Sequence, residues 1–254
     1  MHAHEGISKA ITDGRDAHDI ALVAYVTAGY PSMDEFPAIL ADACTHADVV
    51  EVGIPFSNPI ADGGSLQETA RAALAAGATM QKIMQTLREL DGTLAAPLLL
   101  MGYLNPLLAY GFDRLASDAQ GAGVHGVIVP DLPLEAHAMA GPLTDAGLAT
   151  IGMVSPVTSD ARLARIASTA TGFVYAVTSV GVTGQHRSDQ SSIVEYLENV
   201  RAAATIPVCA GFGIRERAHV DALRGACDGV IVGSALMEAV SEGRDVGSML
   251  AALR

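Results

Sequence analysis

Short apolar segments alternate along the whole chain with longer segments that are apolar on one face only. A strand that is apolar on both faces is typical of a parallel sheet covered by helices. The pattern therefore predicts eight parallel strands. They are ALVAYVTAG (21–29), DVVEVGIP (48–55), APLLLMGYL (96–104), GVIVPDLP (126–133), ATIGMVSP (149–156), GFVYAVTS (172–179), IPVCAGFGI (206–214) and DGVIVGSAL (228–236).

The segments between these strands are predicted to be helices. In the segment 80–90 the apolar residues recur at helical spacing, and the segment 159–170 begins with Ser159, a candidate N-cap. Eight strands alternating with helices over about 250 residues are typical of an α/β protein of the (β/α)8 TIM barrel type. We expect a single domain spanning residues 1–254, since no linker divides the chain. The alternative is an open doubly wound sheet, which would more often show six strands and a glycine fingerprint after the first.

Composition excludes several function classes. The formal net charge is −13, with 28 acidic against 15 basic residues, so we predict no nucleic-acid surface, because such surfaces need clustered Lys and Arg. No apolar run approaches the length of a membrane span, so no membrane segment is expected. The three cysteines have no metal-binding spacing, which favours reduced core cysteines and a cytoplasmic protein.

Two acidic residues lie near the end of the second strand, in the stretch VEVGIPFSNPIADGGS. Glu51 is inside the strand and Asp62 is in the loop that follows it. Barrel enzymes carry their chemistry where the strands end, so both acids can reach one pocket. A buried carboxyl group that holds its proton beside a wetter, ionised one suits acid–base catalysis. The alternative is structural: Glu51 would accept backbone N–H bonds and Asp62 would cap the helix beginning near Ser65.

Glycines at three neighbouring strand ends suggest a phosphate site. They occur in TSVGVTG (178–184), AGFGI (210–214) and VGSAL (232–236), where backbone N–H groups and a helix N-terminus could bind an anion. The alternative is that these glycines serve only the turns, which need glycine anyway.

Other polar residues at strand ends leave two interpretations open. The segment TGQHRSDQSS (183–192), with His186 and Arg187, is either a mobile lid or a solvated loop. Tyr103 and Tyr175 either line a flat apolar pocket or pack in the core. Asp131, in PDLP, is either a helix cap or a ligand contact.

Taken in order, VEVGIPFSNPIADG, PDLP, GVTG, GFGI and VGSA resemble the tryptophan synthase α subunit family over nearly the whole chain. The resemblance implies a (β/α)8 barrel that cleaves indole-3-glycerol phosphate to indole and glyceraldehyde 3-phosphate without cofactor or metal. It also implies roles for individual residues. These are Glu51 and Asp62 in catalysis, Tyr175 beside the substrate, Thr183 as the lid residue bonding the aspartate, Tyr25 and Phe212 against the indole ring, and Gly184, Gly213, Gly233 and Ser234 around the phosphate.

Three positions depart from the family pattern. Asn58 and Tyr30 stand where the family usually has Asp, and Gly64 stands where it has Pro. The loop around Asn58 belongs to the surface on which the family binds the tryptophan synthase β subunit, and a neutral Asn cannot form a charge-assisted pair with a lysine there. The departures leave open either a β-dependent α subunit or a stand-alone indole-releasing lyase.

Two other functions remain as alternatives. One is a different phosphate-binding barrel enzyme, such as an isomerase or another lyase. An aldolase of that kind would typically need a catalytic lysine, whereas the only lysines, Lys9 and Lys82, lie outside the predicted strands. The other is a non-catalytic partner that only activates a β subunit, against which the retained Glu51 and Asp62 argue.

Overall fold

Parallel strands form a nearly closed barrel in the computed structural model, which describes residues 3–178, 190–211 and 213–254. Within these ranges the strands are β1 (Ala21–Thr27), β2 (Val49–Gly53), β3 (Leu98–Met101), β4 (Val124–Ile128), β5 (Ala149–Thr150), β6 (Gly152–Val154), β7 (Val174–Val177), β8 (Val208–Gly211) and β9 (Gly229–Val232). They are hydrogen-bonded in the order β5-β4-β3-β2-β1-β9-β8-β7-β6. All pairs are parallel, which confirms the predicted barrel.

The barrel closes at Ile151, where the predicted fifth strand is divided into two. β5 pairs with β4 and β6 pairs with β7, so one short stretch of chain joins both ends of the sheet. A Cβ atom at Gly152 would lie 2.7 Å from Cγ2 of Ile166. The helix that carries Ile166 therefore packs directly on the backbone here, and a longer side chain would push it away.

Helices surround the barrel and link successive strands. In chain order they are α1 (Ala3–His18), α2 (Phe36–His46), α3 (Gly64–Ala75), α4 (Met80–Leu90), α5 (Leu104–Tyr110), α6 (Phe112–Gln120), a 3₁₀ helix (Leu134–Ala140), α7 (Gly141–Asp145), α8 (Asp160–Thr169), α9 (Gln190–Ala203), α10 (Arg217–Asp221), α11 (Ser234–Ser241) and α12 (Val246–Ala251). No helix in the described ranges is long and apolar enough to cross a lipid bilayer.

The predicted strands lie where the observed ones do, except that the predicted fifth strand is divided into β5 and β6, and the others differ mainly at their ends. The α4 helix spans the predicted segment, and its residues Ile83, Met84 and Leu87 are buried as the spacing requires. Ser159 occupies the N-cap position of α8, but its side chain makes no capping hydrogen bond. Strand β4 begins at Val124, two residues before the apolar run from which it was predicted.

The N-terminal end of the barrel is closed by α1, which packs against β1, β4 and β5. Asp228, at the entrance to β9, links this helix to the sheet. Its carboxylate accepts hydrogen bonds from the Val208 N–H at 2.8 Å and from Arg15 of α1 at 2.9 Å, and Arg201 lies 3.4 Å away. Since α1 covers this end of the barrel in the described part of the chain, we expect a ligand at the C-terminal end.

We expect Asp228→Ala to lower the free energy of unfolding by about 2 kcal/mol, because it leaves the buried Val208 N–H without an acceptor and removes the more buried of the two carboxylates that pair with Arg15. Denaturant unfolding monitored by circular dichroism measures this. The matched control is Asp221→Ala, whose half-exposed carboxylate pairs with Arg217 and Arg224 at the surface, where a change within about 0.5 kcal/mol is expected. Equal losses in the two variants would contradict the role given to Asp228.

Candidate active site

Glu51 lies inside the barrel on β2, and only 1% of it is exposed. Its neighbours across the sheet are Tyr25 on β1 and Leu99 on β3. Its Oε1 atom has no hydrogen-bond partner among the described residues, so the structural interpretation, in which Glu51 accepts backbone N–H bonds, finds no support at this atom. Burial raises the pKa of the carboxyl group to about 8, which keeps it protonated at neutral pH.

Asp62 lies in the loop between β2 and α3 and is also buried, with 6% of it exposed. It is the more exposed of the two acids, as expected, although the difference is small. Burial raises the pKa of Asp62 to about 6, while a hydrogen bond from Tyr103 works in the opposite direction. The amide of Gln67 fixes the loop by donating to the Asp62 carbonyl at 2.9 Å. The N-cap of α3 is Gly63, with no side-chain capping bond, so Asp62 is not a helix cap.

The hydroxyl of Tyr103 orients Asp62. It accepts a hydrogen bond from the Ala61 N–H at 2.9 Å and donates one to the Asp62 carboxylate. Tyr103 is also the N-cap residue of α5, and Asp131 accepts a hydrogen bond from the next residue, Leu104, at 2.7 Å. The structure thus shows Asp131 binding the N-terminus of a helix, and it reveals a support for Asp62 that the sequence did not indicate.

Tyr25 and Tyr175 extend over the backbone of neighbouring strands near the two acids. A Cβ atom at Gly53 would lie 1.9 Å from the Tyr25 hydroxyl, and one at Gly211 would lie 2.4 Å from the Tyr175 hydroxyl. Each ring therefore needs a glycine on the strand beside it. Burial raises the pKa of both tyrosines, and the nearby charges of Asp62 and Glu51 add to it, so both phenols stay neutral.

The opposite side of the site is formed by strand ends with small residues. Gly213 has a φ of +88°, which favours glycine, and a Cβ atom there would meet nothing within 4 Å. Gly233 is the N-cap of α11, with no side-chain capping bond, and Ser234 is the first residue of that helix. The N-terminus of α11 thus presents its backbone dipole and the Ser234 hydroxyl toward the cavity, an arrangement that suits an anion.

A cavity of about 140 Å³ joins these groups. Seven residues of the predicted set line it: Tyr25, Glu51, Asp62, Tyr175, Gly213, Gly233 and Ser234. The other lining residues are Gly63, Leu66, Met101, Ile214, Arg215 and Ile231. The sequence did not indicate these last six, which line the cavity through local loop and strand geometry. Tyr103 stands behind Asp62, and its ring packs on Phe56 at a centroid distance of 5.5 Å. Thr183, Gly184 and Phe212, like the proposed lid residues His186 and Arg187, lie outside the described residues.

The fold and the site together define a class: a (β/α)8-barrel enzyme with two buried acids at the C-terminal end of its strands. The family model described as tryptophan synthase alpha chain matches residues 12–253. The chain belongs to the tryptophan synthase α chain family, as its motifs predicted.

Individual relatives agree with this assignment. The tryptophan synthase alpha chain of Xylella fastidiosa is 42% identical over 231 residues, covering 89% of this chain and 85% of that protein. The crystal structure of tryptophan synthase subunit alpha from Legionella pneumophila has a TM-score of 0.88 at 30% identity and covers 100% of this chain and 97% of its own. A chain from a structure of the tryptophan synthase α2β2 complex of Pyrococcus furiosus has a TM-score of 0.85 at 32% identity, covering 92% of this chain and 97% of its own.

We expect Glu51→Gln to stabilise the chain, and to do so more strongly as pH rises. Between about pH 5 and about pH 8 the folded chain keeps the Glu51 proton that the unfolded chain has released. The free energy of unfolding of the parent therefore falls across this window, by up to about 1.4 kcal/mol per pH unit, and glutamine removes that contribution. Denaturant unfolding at several pH values measures the slopes.

The control for this prediction is Glu68→Gln, an exposed position on α3, which should keep the parental slope. Parallel curves for the parent and Glu51→Gln would show that Glu51 releases its proton in the folded chain as readily as in the unfolded one.

Proposed function

We propose that Glu51 and Asp62 are the acid–base pair with which this chain cleaves indole-3-glycerol phosphate to indole and glyceraldehyde 3-phosphate, the reaction of its family. The observation that supports this most directly is the difference between the two buried acids. They line one cavity, and their pKa values of about 8 and about 6 lie on either side of neutral. One acid is therefore protonated and the other largely ionised when the reaction begins.

Glu51 supplies the proton on which cleavage depends. The scissile bond joins C3 of the indole ring to the glyceryl chain, and indole is a poor leaving group as a carbanion. Protonated Glu51 donates its proton to C3 and gives an indolenine-like cation. The resulting carboxylate then takes the proton of the adjacent glyceryl hydroxyl, the C–C electron pair returns to the ring, and indole and the aldehyde separate with Glu51 protonated again.

Asp62 stabilises the positive charge that forms on the ring. As a carboxylate it accepts a hydrogen bond from the ring N–H, and this bond strengthens when C3 is protonated and the nitrogen becomes iminium-like. The hydroxyl of Tyr103 holds the carboxylate in place while leaving acceptor positions for the substrate. Orientation by a fixed partner suits a group that acts only when positive charge develops.

The substrate phosphate is proposed to bind at Gly213, Gly233 and Ser234, where backbone N–H groups and the dipole of α11 favour an anion. Tyr25 and Tyr175 would then flank the aromatic ring between the phosphate and the acids. The roles of Thr183 at Asp62, of Gly184 at the phosphate and of Phe212 at the ring stay predictions from the resemblance.

The features that would favour other functions are weak. Lys9 and Lys82 lie on α1 and α4, outside the barrel interior, so neither can form a Schiff base at the cavity.

We further infer a cytoplasmic location, an inference supported by the three cysteines, Cys44, Cys209 and Cys227, which are free and buried as the sequence predicted.

A tryptophan synthase β subunit is the proposed partner, as in the α2β2 complex from Pyrococcus furiosus. The loop that would meet it is exposed: Asn58 is exposed, and the adjacent apolar Ile60 is 63% exposed. Gly64 is the first residue of α3, and the preceding Gly63 has an extended backbone with φ −67° and ψ 163°. Proline is well suited to that position, so the family's proline would fit here without strain.

We expect Glu51→Gln and Asp62→Asn each to lower the rate of indole release at least about 100-fold, since proton transfer by a positioned group contributes factors of this size. The assay follows indole formed by the purified chain from indole-3-glycerol phosphate, with and without a β subunit. Both variants should still bind glycerol 3-phosphate, because the proposed phosphate site is separate from the acids. The matched control is Glu68→Gln, and near-parental turnover in either active-site variant would refute the assignment.

The parent chain should bind a standard β subunit weakly, and Asn58→Asp combined with Gly64→Pro should strengthen binding. A restored charge pair at a partly buried interface contributes roughly 2 kcal/mol, or about thirtyfold in affinity, and a stiffer loop loses less entropy on association. Titration with a β subunit, following both complex formation and indole, measures this. Tight binding and strong activation of the parent would show that Asn58 does not weaken the interface.

A further inference from the structure

Arg215 lines the active-site cavity, and its side chain forms an ion pair with a carboxylate. It follows Gly213 and Ile214 in the loop after β8 and lines the cavity beside Gly213 and Ser234. Its guanidinium group binds both oxygens of Glu238 on α11, with an Nη1–Oε1 distance of 3.2 Å, and 53% of the side chain is exposed. Among the described residues that line this cavity, Arg215 is the only one with a cationic side chain.

Glu238 connects this arginine to the loop that carries Asp62. It lies about one turn after Ser234 on α11, and its Oε1 atom also accepts a hydrogen bond from the Ser65 hydroxyl at 2.6 Å. Ser65 is in the first turn of α3, directly after the Asp62 loop. Arg215 and Glu238 therefore lie between the segments that follow β2, β8 and β9, all of which border the cavity.

A phosphate at the N-terminus of α11 meets an unfavourable field. The chain has a net charge of −13, the largely ionised Asp62 borders the same cavity, and the Glu238 carboxylate lies on the helix that would bind the anion. Backbone N–H groups and a helix dipole supply only partial positive charge. A full positive charge that faces both Glu238 and the cavity would offset this repulsion and would favour a dianion over a neutral group.

We propose that Arg215 is a phosphate-binding and specificity-determining residue that transfers its guanidinium group from Glu238 to the substrate phosphate on binding. The inference rests on the proposed function, since it concerns the same phosphate site. In the free chain Glu238 holds the guanidinium at the rim of the cavity. When a phosphate enters, the long side chain turns toward it and donates two parallel hydrogen bonds, as guanidinium groups do to phosphate.

The test compares two conservative variants, for which the proposal predicts opposite changes in phosphate affinity. Arg215→Gln should weaken binding of glycerol 3-phosphate roughly tenfold, because a charge-assisted contact is lost. Glu238→Gln should bind glycerol 3-phosphate at least as tightly as the parent and up to several-fold tighter, because the competitor of the phosphate loses its charge while its amide oxygen still accepts from Ser65. Isothermal titration calorimetry measures both, and Arg217→Gln, a neighbouring arginine paired with Asp221, is the matched control.

Kinetics supply a second measurement. Arg215→Gln should raise KM for indole-3-glycerol phosphate about tenfold while kcat changes less than about twofold, and Arg215→Lys should recover part of the loss. Affinity for indole, which has no phosphate, should be unchanged. Raising the salt concentration should weaken glycerol 3-phosphate binding more in the parent than in Arg215→Gln, since the variant lacks the charge that salt screens.

A purely structural ion pair would give a different result, because both Arg215→Gln and Glu238→Gln would then lower the melting temperature and weaken phosphate binding together. That outcome overturns the proposal, as does unchanged affinity in Arg215→Gln, and in both cases the proposed function stands. A parent chain that neither binds glycerol 3-phosphate nor releases indole would refute the proposed function and this inference with it.

Discussion

A carboxyl group inside an apolar barrel is the constraint on which the arrangement of the site depends. Glu51 lies among buried strands, and one of its oxygens has no partner in the part of the chain that the structure describes, a position in which a charged group would be costly. The barrel accommodates Glu51 because the acid can stay neutral at the pH of the cell, and a neutral acid at that position can donate a proton. The burial of Glu51 thus affects both the stability of the fold and the pKa of the carboxyl group. A change that hydrates Glu51 would alter both.

The contrast between the two acids arises from their depth of burial and from their partners. Glu51 is buried more deeply, and Asp62 receives a hydrogen bond from Tyr103, whereas within residues 3–178, 190–211 and 213–254 no partner is found for Oε1 of Glu51. Tyr103 is held in turn by the start of α5, whose first N–H is bound by Asp131. A chain of contacts from two neighbouring loops therefore reaches the second acid, and the first depends on the rigid strands around it.

Much of the fold could be predicted from the sequence, because strands covered on both faces leave an unmistakable apolar pattern. The division of the fifth strand at Ile151 could not, since it depends on how closely α8 approaches Gly152. The two acids could be predicted because an acidic residue between valines is unusual. The glycines could be predicted because they occur at three neighbouring strand ends. The buried state of Asp62, the support from Tyr103 and the position of Arg215 depend on contacts between loops distant in sequence, for which no local pattern exists.

The closure of the barrel at Ile151, where β5 and β6 meet, forms a joint in the barrel wall that has a consequence for the motions of the molecule. β5 pairs with β4 through two residue pairs and β6 with β7 through three, so the barrel wall is held there by fewer ladder contacts than between β1 and β2. Backbone amides at this joint should exchange with solvent through local opening at lower free-energy cost than those of β1 and β2. Glu51 and Tyr25 lie in the wall opposite the joint, so the barrel can open transiently at one side while the acid remains enclosed at the other.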